Sequence, residues 1–270
     1  MSKGGTCNIC GAPSGWMADA VIMKKHQISY LQCSQCGFVQ TEAPYWLDEA
    51  YSSAIIDSDI GLLSRNILNA DITKLLIGLF LNPGAMYLDY GGGYGTLTRL
   101  MRDAGYHFRH YDPFCPNLFA KGAEADLSTG ERYELITAFE LFEHFTHPIA
   151  ELNRLLAYSD SILFSTELLP AHRPLPSEWW YYALDGGQHI SIYTLDSLFH
   201  LAKRFGLNLY SNGTSLHLLT PRSISPSVFE IACNADMARS MSLHFNRPSL
   251  TQADFERIVA SRLTLWKKGC

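Results

Sequence analysis

The sequence predicts an α/β fold: a small N-terminal zinc ribbon is followed by a doubly wound, mostly parallel sheet that ends in an antiparallel hairpin. Three observations carry this prediction: two C-x2-C pairs near the start, an alternation of strand-like and helix-like segments after residue 82, and an Asn-Gly pair between the last two apolar runs. Of the 270 residues, 47% are hydrophobic and only 17% are charged. The chain can therefore bury a large core, and general disorder is excluded.

Four cysteines near the N-terminus have the spacing of a zinc site. Cys7 and Cys10 form one C-x2-C pair, Cys33 and Cys36 form the second, and a glycine follows each pair. Two such pairs present four thiolates to one tetrahedral Zn²⁺, and the glycine permits a tight turn. A segment of about 40 residues has too small a core to fold alone, so we expect the zinc to be structural.

The apolar pattern divides the remaining chain into helices and strands. A short connecting helix is expected over 44–51 and a long amphipathic helix over 59–81. Beyond them, the pattern predicts strands at 86–90, 108–111, 133–138 and 161–165 and helices at 96–104, 148–156 and 195–205. The runs 207–210 and 215–219 flank Asn212-Gly213 and predict the closing hairpin.

These elements give four segments. They are a zinc ribbon at 1–43, linking helices at 44–82, an α/β ligand-binding domain at 83–220 and a C-terminal helical extension at 221–270. The extension begins with a linker at 221–227, and 252–266 is expected to be helical. It can serve as a lid, as a homodimer surface or as simple packing, and the sequence does not distinguish these roles.

A glycine-rich loop of the form D-x-G-x-G-x-G follows the strand 86–90. Asp89 lies near the end of that strand, and Gly91, Gly93 and Gly95 follow. Glycines let the backbone approach a nucleotide-like ligand closely, and the next helix begins with free N–H groups. The loop therefore predicts a nucleotide or nucleoside site.

Acidic residues follow at positions where a nucleoside would be bound. Asp112 follows the second strand, where its carboxylate can accept hydrogen bonds from ribose hydroxyls. Asp126 and Leu127 come at the end of the next expected strand, where an acidic side chain can meet the adenine amino group. The pattern thus predicts contacts to both parts of a nucleoside.

Residues 60–220 resemble the class I S-adenosylmethionine (SAM) methyltransferases. The resemblance rests on the order of the glycine loop, Asp112, Asp126, the Glu140 region and the terminal hairpin. It implies a seven-stranded sheet and SAM as cofactor, bound by the loop residues, by these two aspartates, by Leu127 and by Phe139. The N-terminal cysteine segment resembles the zinc-binding segment found on methyltransferases of sugar and natural-product pathways.

An acid and imidazole motif follows the fourth strand. Glu140, Glu143 and His144 form E-x-x-E-H, which one helical turn would direct into a single pocket at the carboxyl edge of the sheet. Carboxylates and imidazole suit a divalent ion, and 187–194 supplies His189 just before a helix.

Together these elements resemble the metal-dependent small-RNA 2′-O-methyltransferases and, in the E-x-x-E-H half, the ubiquinone-pathway O-methyltransferases. By that resemblance, Glu140, Glu143, His144 and His189 would hold an active-site divalent metal. Other interpretations stay open. Glu143 and His144 can cap the following helix, and His189 can be a core histidine or a metal-free general base.

The segment between these motifs is rich in proline and aromatic residues. Trp179, Trp180 and Tyr181 offer flat faces for stacking on a sugar or another ring. Arg173 is placed to meet a phosphate or carboxylate of the substrate, and Tyr193 is a further candidate, as a base. We expect these residues to bind the methyl acceptor.

These features together predict a SAM-dependent O-methyltransferase that acts on a hydroxyl of a carbohydrate-type small molecule or glycan, assisted by a divalent metal. The alternatives are a sugar C-methyltransferase with His189 as general base, a zinc-ribbon rRNA methyltransferase, and an interaction protein that uses SAM structurally. A net charge of −5 and the lack of a basic stripe disfavour nucleic acid. The longest apolar run, 75–81, is too short to span a bilayer, so a cytoplasmic enzyme is expected.

Overall fold

The computed structural model of the protein describes residues 4–52 and 59–268, with side chains up to residue 260. The chain forms two compact units. The unit that holds the cysteines, called the cysteine unit below, comprises Met1–Ile56 and Ala138–Pro226. The glycine-loop unit comprises Asp57–Thr137 and Ser227–Cys270. The boundaries predicted from the sequence at residues 43, 82 and 220 stay predictions.

The described strands follow the predicted pattern closely after residue 82. In chain order they are β1 Gly4–Thr6, β2 Pro13–Ile22, β3 His26–Cys33, β4 Val39–Thr41, β5 Met86–Tyr90, β6 His107–Tyr111, β7 Leu135–Ala138, β8 Ile162–Ser165, β9 Ser191–Ile192, β10 Asn208–Ser211 and β11 Leu216–Thr220.

The described helices also match the expected positions. They are α1 Leu47–Ala50, α2 Leu62–Phe80, α3 Thr96–Asp103, α4 Pro148–Leu156, α5 Leu195–Arg204, α6 Pro226–Ala232, α7 Ala235–Ser242 and α8 Thr251–Lys268. Short 3₁₀ helices lie at Leu127–Thr129, Phe142–His144, Trp180–Tyr182 and Leu243–Phe245.

The four N-terminal strands of the cysteine unit form an antiparallel sheet that a strand from later in the chain extends. They pair in the order β1-β2-β3-β4-β9, so the short strand β9 completes a five-stranded sheet. Val39 of β4 pairs with Ile192 of β9 in antiparallel register. A core that includes Tyr30, Tyr182 and Ile190 is buried here. The predicted zinc ribbon is therefore continuous with the part of the chain that carries His189.

The predicted closing hairpin is confirmed. Strands β10 and β11 are antiparallel, and β11 also pairs with β8 in antiparallel register. Their pairing ends at Ser211 and His217, so the connection is longer than a two-residue turn. The Asn212 side chain stabilises it by accepting hydrogen bonds from the backbone N–H groups of residues 214–216.

The glycine-loop unit contains the parallel part of the fold. Strand β5 pairs in parallel with β6 on one side and with β7 on the other. Six strands of the α/β pattern are described, namely β5 to β8, β10 and β11. Where a further strand was expected near residue 126, the described chain forms a single parallel bridge between His110 and Glu124. The seven-strand count is therefore not confirmed.

Helix α2 departs from the predicted amphipathic pattern. Leu63 and Ile67, expected on its apolar stripe, are 59% and 46% exposed. Its second half is instead buried around most of its circumference, including Asn69, Thr73 and Lys74. Helices α3 and α7 both pack against it, and this double cover buries polar as well as apolar positions. The second part of the predicted stripe, with Ala70, Lys74 and Ile77, is thus buried as expected, whereas its first part is exposed.

The start of helix α8 is packed against α3. Asp254, which is buried, accepts hydrogen bonds from Arg102 Nε at 2.7 Å and from Arg99 at 3.0 Å. Of the three roles considered for the extension, packing is thus observed for the first turns of α8. Among the described residues, no helix is long and apolar enough to cross a membrane.

Candidate functional site

The four N-terminal cysteines converge on one point. Their Sγ atoms all lie within 4.8 Å of one another; Cys7 and Cys36 are 3.6 Å apart, and Cys10 and Cys33 are 3.4 Å apart. Ligands at about 2.3 Å from a tetrahedral Zn²⁺ are separated by about 3.8 Å, so the four thiols fit this ion. A hydrogen bond between the two thiols lowers the pKa of Cys7 and raises that of Cys36, so Cys7 is the thiol of the pair that ionises first, as a metal requires of its ligands.

The turns that hold these cysteines have the predicted glycine geometry. Gly11 and Gly37 have φ angles of +78° and +71°, a region that disfavours other residues. Backbone N–H groups, such as that of Ile9, point to the sulfurs: Ile9 N lies 3.4 Å from Cys7 Sγ. The local fold therefore preorganises the four sulfur atoms.

The glycine loop rests on a buried aspartate. Asp89 is 2% exposed, and its carboxylate accepts hydrogen bonds from Thr98 at 2.9 Å and Thr137 at 3.0 Å. Burial raises the pKa of Asp89 to about 6 despite these two bonds. A Cβ at Gly92 would come within 2.5 Å of the Asp89 carboxylate and 2.7 Å of the ring of His110. The Asp89 carboxylate therefore packs directly against the loop at Gly92, and its contact with the cofactor stays a prediction.

Asp112 ties the loop to the end of β6. Its Oδ2 accepts from the backbone N–H of Gly93 at 2.8 Å, and its Oδ1 accepts from those of Phe114 and Cys115. The predicted loop glycines have positive φ angles, namely Gly91 at +72°, Gly93 at +57° and Gly95 at +85°. The half-buried Asp112 carboxylate is thereby fixed beside the loop, where a ribose was predicted.

Asp126 and Leu127 lie in a different local structure from the one expected. Asp126 is exposed and caps the 3₁₀ helix Leu127–Thr129, accepting from the N–H and hydroxyl of Ser128. These bonds lower its pKa. Leu127 is half-buried. Their contacts with adenine stay a prediction.

Three of the four predicted metal ligands come together in the cysteine unit. One ligand atom each from Glu143, His144 and His189 lies within 4.8 Å of the others. The Glu143 carboxylate is fully buried, and neither oxygen has a hydrogen-bond partner among the described side chains and backbone. Burial, with a smaller effect of Glu140, raises the pKa of Glu143 well above its usual value, although the nearby hydroxyls of Tyr181 and Thr166 act in the opposite direction without reaching hydrogen-bond geometry. A buried carboxylate without a partner is costly, and a divalent cation would supply one.

Both histidines are held at Nδ1 by a hydrogen bond. The Nδ1 of His189 lies 2.6 Å from the carbonyl oxygen of Tyr181. Because a carbonyl only accepts, Nδ1 carries a proton, and in the neutral ring the lone pair is then on Nε2. The Nδ1 of His144 is hydrogen-bonded to the Tyr51 hydroxyl at 3.1 Å. Burial and the neighbouring His189 lower the pKa of His144 to about 3, so it is available as a ligand.

Glu140 lies outside this three-residue group. It precedes the 3₁₀ helix Phe142–His144 and has a φ of +50°, so E-x-x-E-H is not one helical turn. Its backbone N–H donates to Ser165 Oγ at 2.8 Å, and its carboxylate accepts from the same hydroxyl. Glu140 therefore raises the pKa of Glu143 from a distance, and its role as a ligand stays a prediction. Phe139 is half-buried next to it.

The aromatic segment divides between core and surface. Tyr181 and Tyr193 are fully buried; their hydroxyls bond to Thr166 at 3.0 Å and to the carbonyl of Phe142 at 3.0 Å. Both tyrosines are thus hydrogen-bonded within the core, and their burial does not favour the predicted contact with a substrate. Trp179 is half-buried, whereas Arg173 and Trp180 are exposed, Trp180 by 73%.

Sequence reasoning missed two contributors to these sites. Tyr51 reaches His144 from the N-terminal segment, and a lone tyrosine beyond a short helix carries no signal for that. Gly92 is required by its closeness to Asp89, although the D-x-G-x-G-x-G spacing marks only its neighbours. Both contacts depend on tertiary structure.

Comparison with known proteins places residues 65–212 in a family whose model is described as a methyltransferase domain. Solved structures give weaker matches. The Burkholderia thailandensis 1,6-didemethyltoxoflavin-N1-methyltransferase is 15% identical, with a TM-score of 0.49 over 75% of this chain and 97% of that one. The plantazolicin methyltransferase BpumL is 16% identical, with a TM-score of 0.48 over 74% and 87%. No curated protein matches the sequence.

Proposed function

The chain belongs to this methyltransferase family, whose model matches more than half of it, and is a SAM-dependent methyltransferase; from that premise we propose its acceptor and its chemistry. It transfers the methyl group of SAM to a hydroxyl of a carbohydrate-type small molecule or glycan. Glu143, His144 and His189 hold a divalent metal for this reaction, and the four cysteines hold a structural Zn²⁺.

One observation carries the metal assignment: the Glu143 carboxylate is fully buried without a hydrogen-bond partner among the described residues, within 4.8 Å of two imidazoles. Structures rarely leave a buried charged group uncompensated. Two imidazoles and one carboxylate form a donor set that suits Zn²⁺, Mn²⁺ or Fe²⁺ better than Mg²⁺, which prefers oxygen ligands.

A sugar hydroxyl is a poor nucleophile at neutral pH. When bound, the divalent ion would lower the pKa of a nearby hydroxyl and fix its orientation. The protein orients the ligands in advance. The Tyr181 carbonyl accepts a hydrogen bond from Nδ1 of His189, so that the Nε2 lone pair of the neutral ring is left for the ion. During transfer the hydroxyl gives its proton to solvent, its oxygen forms the new bond to the methyl carbon, and the carbon–sulfur bond of SAM breaks, with its electron pair staying on the sulfur of S-adenosylhomocysteine.

The glycine-loop unit supplies the cofactor residues of this proposal. Asp112 is fixed by three backbone N–H groups, and Gly91, Gly93 and Gly95 adopt the left-handed conformation. These features favour close approach of the SAM nucleoside to the backbone. Asp126 and Leu127 of the same unit, and Phe139 of the cysteine unit, complete the proposed contacts.

A second candidate uses His189 without a metal. Its fixed tautomer makes Nε2 a ready general base, which could serve O-methyl or sugar C-methyl transfer. In that case Glu143 would stay protonated, as its raised pKa allows. The two candidates differ in one measurable property, the number of metal ions per chain.

The test combines elemental analysis with calorimetric SAM binding. We compare the wild type, the Glu143→Ala/His144→Ala double variant and a His172→Ala control, whose side chain is exposed. The proposal requires a second ion that the wild type and the control bind and the double variant lacks. SAM affinity should be equal in all three, because the double variant leaves the glycine-loop unit unchanged.

An acceptor screen then tests the substrate class. Formation of S-adenosylhomocysteine is measured with sugars and nucleotide sugars that carry vicinal hydroxyls and with their deoxy analogues. Turnover confined to the hydroxylated compounds supports the proposal. Turnover that survives in the double variant would move the chemistry to His189 as a base.

A further inference from the structure

The segment 187–194, which carries His189, is held by hydrogen bonds from the N-terminal part of the chain. The indole Nε1 of Trp46 donates to the carbonyl of Gly187 at 2.8 Å, and both groups are buried. The side-chain amide of Gln188 donates to the carbonyl of Ala50 at 2.7 Å. These bonds fix the two residues that precede His189.

The residues after His189 are held in the same way. The backbone N–H of Thr41 donates to the carbonyl of Ile190 at 3.1 Å, and strand β4 pairs with β9 directly afterwards. The Thr194 hydroxyl donates to the carbonyl of Cys36 at 2.5 Å. The zinc-site cysteine Cys36 is therefore bonded to the segment that carries His189.

The same N-terminal stretch also reaches the second histidine. Tyr51 directly follows helix α1, and its hydroxyl bonds to His144 Nδ1. A tyrosine hydroxyl can donate to Nδ1 or accept from it. If the hydroxyl donates, the neutral His144 ring has its lone pair on Nδ1 and its proton on Nε2; if the hydroxyl accepts, the lone pair is on Nε2 and free to bind a metal.

We propose that the stretch 36–51 is a positioning element for the Glu143, His144 and His189 cluster, and that Tyr51 is the positioning residue that sets the tautomer of His144. The inference rests on the proposed function in taking this cluster as the reactive centre. It gives the cysteine segment a second role: besides its own zinc site, it aligns both catalytic histidines.

The test replaces Tyr51 with phenylalanine, which removes the hydroxyl and keeps the ring. Tyr45→Phe is the matched control, because Tyr45 lies on the same stretch, is 65% exposed and makes ring contacts, among the described residues, with His26 and Trp46. Long-range ¹H–¹⁵N spectra of histidine-labelled protein report ring tautomers directly, with His144→Asn used to assign the signals. We expect a changed His144 tautomer in Tyr51→Phe and an unchanged one in Tyr45→Phe. An unchanged His144 signal in Tyr51→Phe overturns the inference.

A Co²⁺ titration separates this inference from the proposed function. The four cysteines are first loaded with Zn²⁺, and d–d absorption without thiolate charge transfer then reports a nitrogen and oxygen site. Loss of an outer hydrogen bond to a ligand histidine should weaken Co²⁺ binding about tenfold in Tyr51→Phe. If the wild type binds no Co²⁺ while the tautomer effect is present, the metal part of the proposed function fails and the positioning role of Tyr51 stands.

Discussion

Two buried carboxylates, one in each unit, have opposite surroundings. Asp254 in the glycine-loop unit is 4% exposed and accepts hydrogen bonds from Arg99, Arg102 and Arg257. Glu143 in the cysteine unit is fully buried and has no such partner among the described residues. Burial raises the pKa of both; the arginines reverse this for Asp254, whose pKa lies below its usual value, whereas the pKa of Glu143 stays raised.

The difference separates a carboxylate whose charge is compensated within the fold from one whose charge is not. Removing a charge from water is compensated at Asp254 by three guanidinium groups within the same unit. At Glu143 only the hydroxyls of Tyr181 and Thr166 oppose the rise in pKa, and a bound proton or a cation would complete the compensation. Unsatisfied buried polar atoms mark functional sites for this reason.

The largest effect is expected from breaking the satisfied site. Asp254→Ala leaves the buried Arg102 without its carboxylate, although the Phe108 carbonyl still accepts one bond from it. Breaking a buried ion pair in this way costs about 3 to 5 kcal/mol of unfolding free energy. Urea denaturation measures this loss. The control Asp236→Ala lies on the same extension but has an exposed side chain, so it should leave the unfolding free energy unchanged. If Asp254→Ala also leaves it unchanged, the arginines have found other partners.

At Glu143, replacing the carboxylate should increase the unfolding free energy instead of lowering it. Its folded-state pKa lies above the unfolded value of 4.5, so the folded state binds this proton more tightly. The associated stability is fully present below pH 4.5 and is lost as the pH rises through the folded pKa. Without added divalent metal, Glu143→Gln should therefore be more stable than the wild type at pH 8, by about 1 to 3 kcal/mol.

Urea denaturation from pH 5 to pH 8 checks this sign. The wild-type unfolding free energy should fall with rising pH, and that of Glu143→Gln should fall less. The exposed Glu178→Gln serves as control and should follow the wild type. A Glu143→Gln variant that is less stable at pH 8 would reveal a partner for the carboxylate within the fold, and the comparison with Asp254 would no longer hold.

The fold was more predictable from the sequence than the site. Period and turn signals located β5, β6, α4 and the closing hairpin within a few residues, because these depend on local patterning. The cysteine cluster was likewise predictable, since its ligands come in two short repeats. By contrast, the continuity of the N-terminal strands with β9 depends on the pairing of Val39 with Ile192, which no local pattern encodes.

Among the site residues, too, local patterns indicated some and missed those that depend on tertiary contacts. The E-x-x-E-H spacing indicated Glu143 and His144, and the resemblance added His189; Glu140, which has a positive φ and a bond to Ser165, lies outside the group, and its role as a ligand stays a prediction. An aromatic run identified Trp179, Trp180 and Tyr181 as candidates for stacking without indicating which of them are buried. The sequence did not indicate Tyr51 as a site residue because its contact with His144 joins positions 93 residues apart.

The smallest change in unfolding free energy is expected in the aromatic segment, where a role in folding and a role in acceptor binding can be measured separately. Trp180 is 73% exposed, whereas Trp179 packs against the buried core of the cysteine unit. Trp180→Ala should change the unfolding free energy by less than about 0.5 kcal/mol, yet raise the KM for the acceptor several-fold with SAM affinity unchanged, since an exposed indole is free to stack on a sugar. Trp179→Ala should instead cost about 2 kcal/mol in urea denaturation. Steady-state kinetics with the acceptor found in the screen decides the first point; an unchanged KM would place the acceptor elsewhere and leave Trp180 without a role in binding.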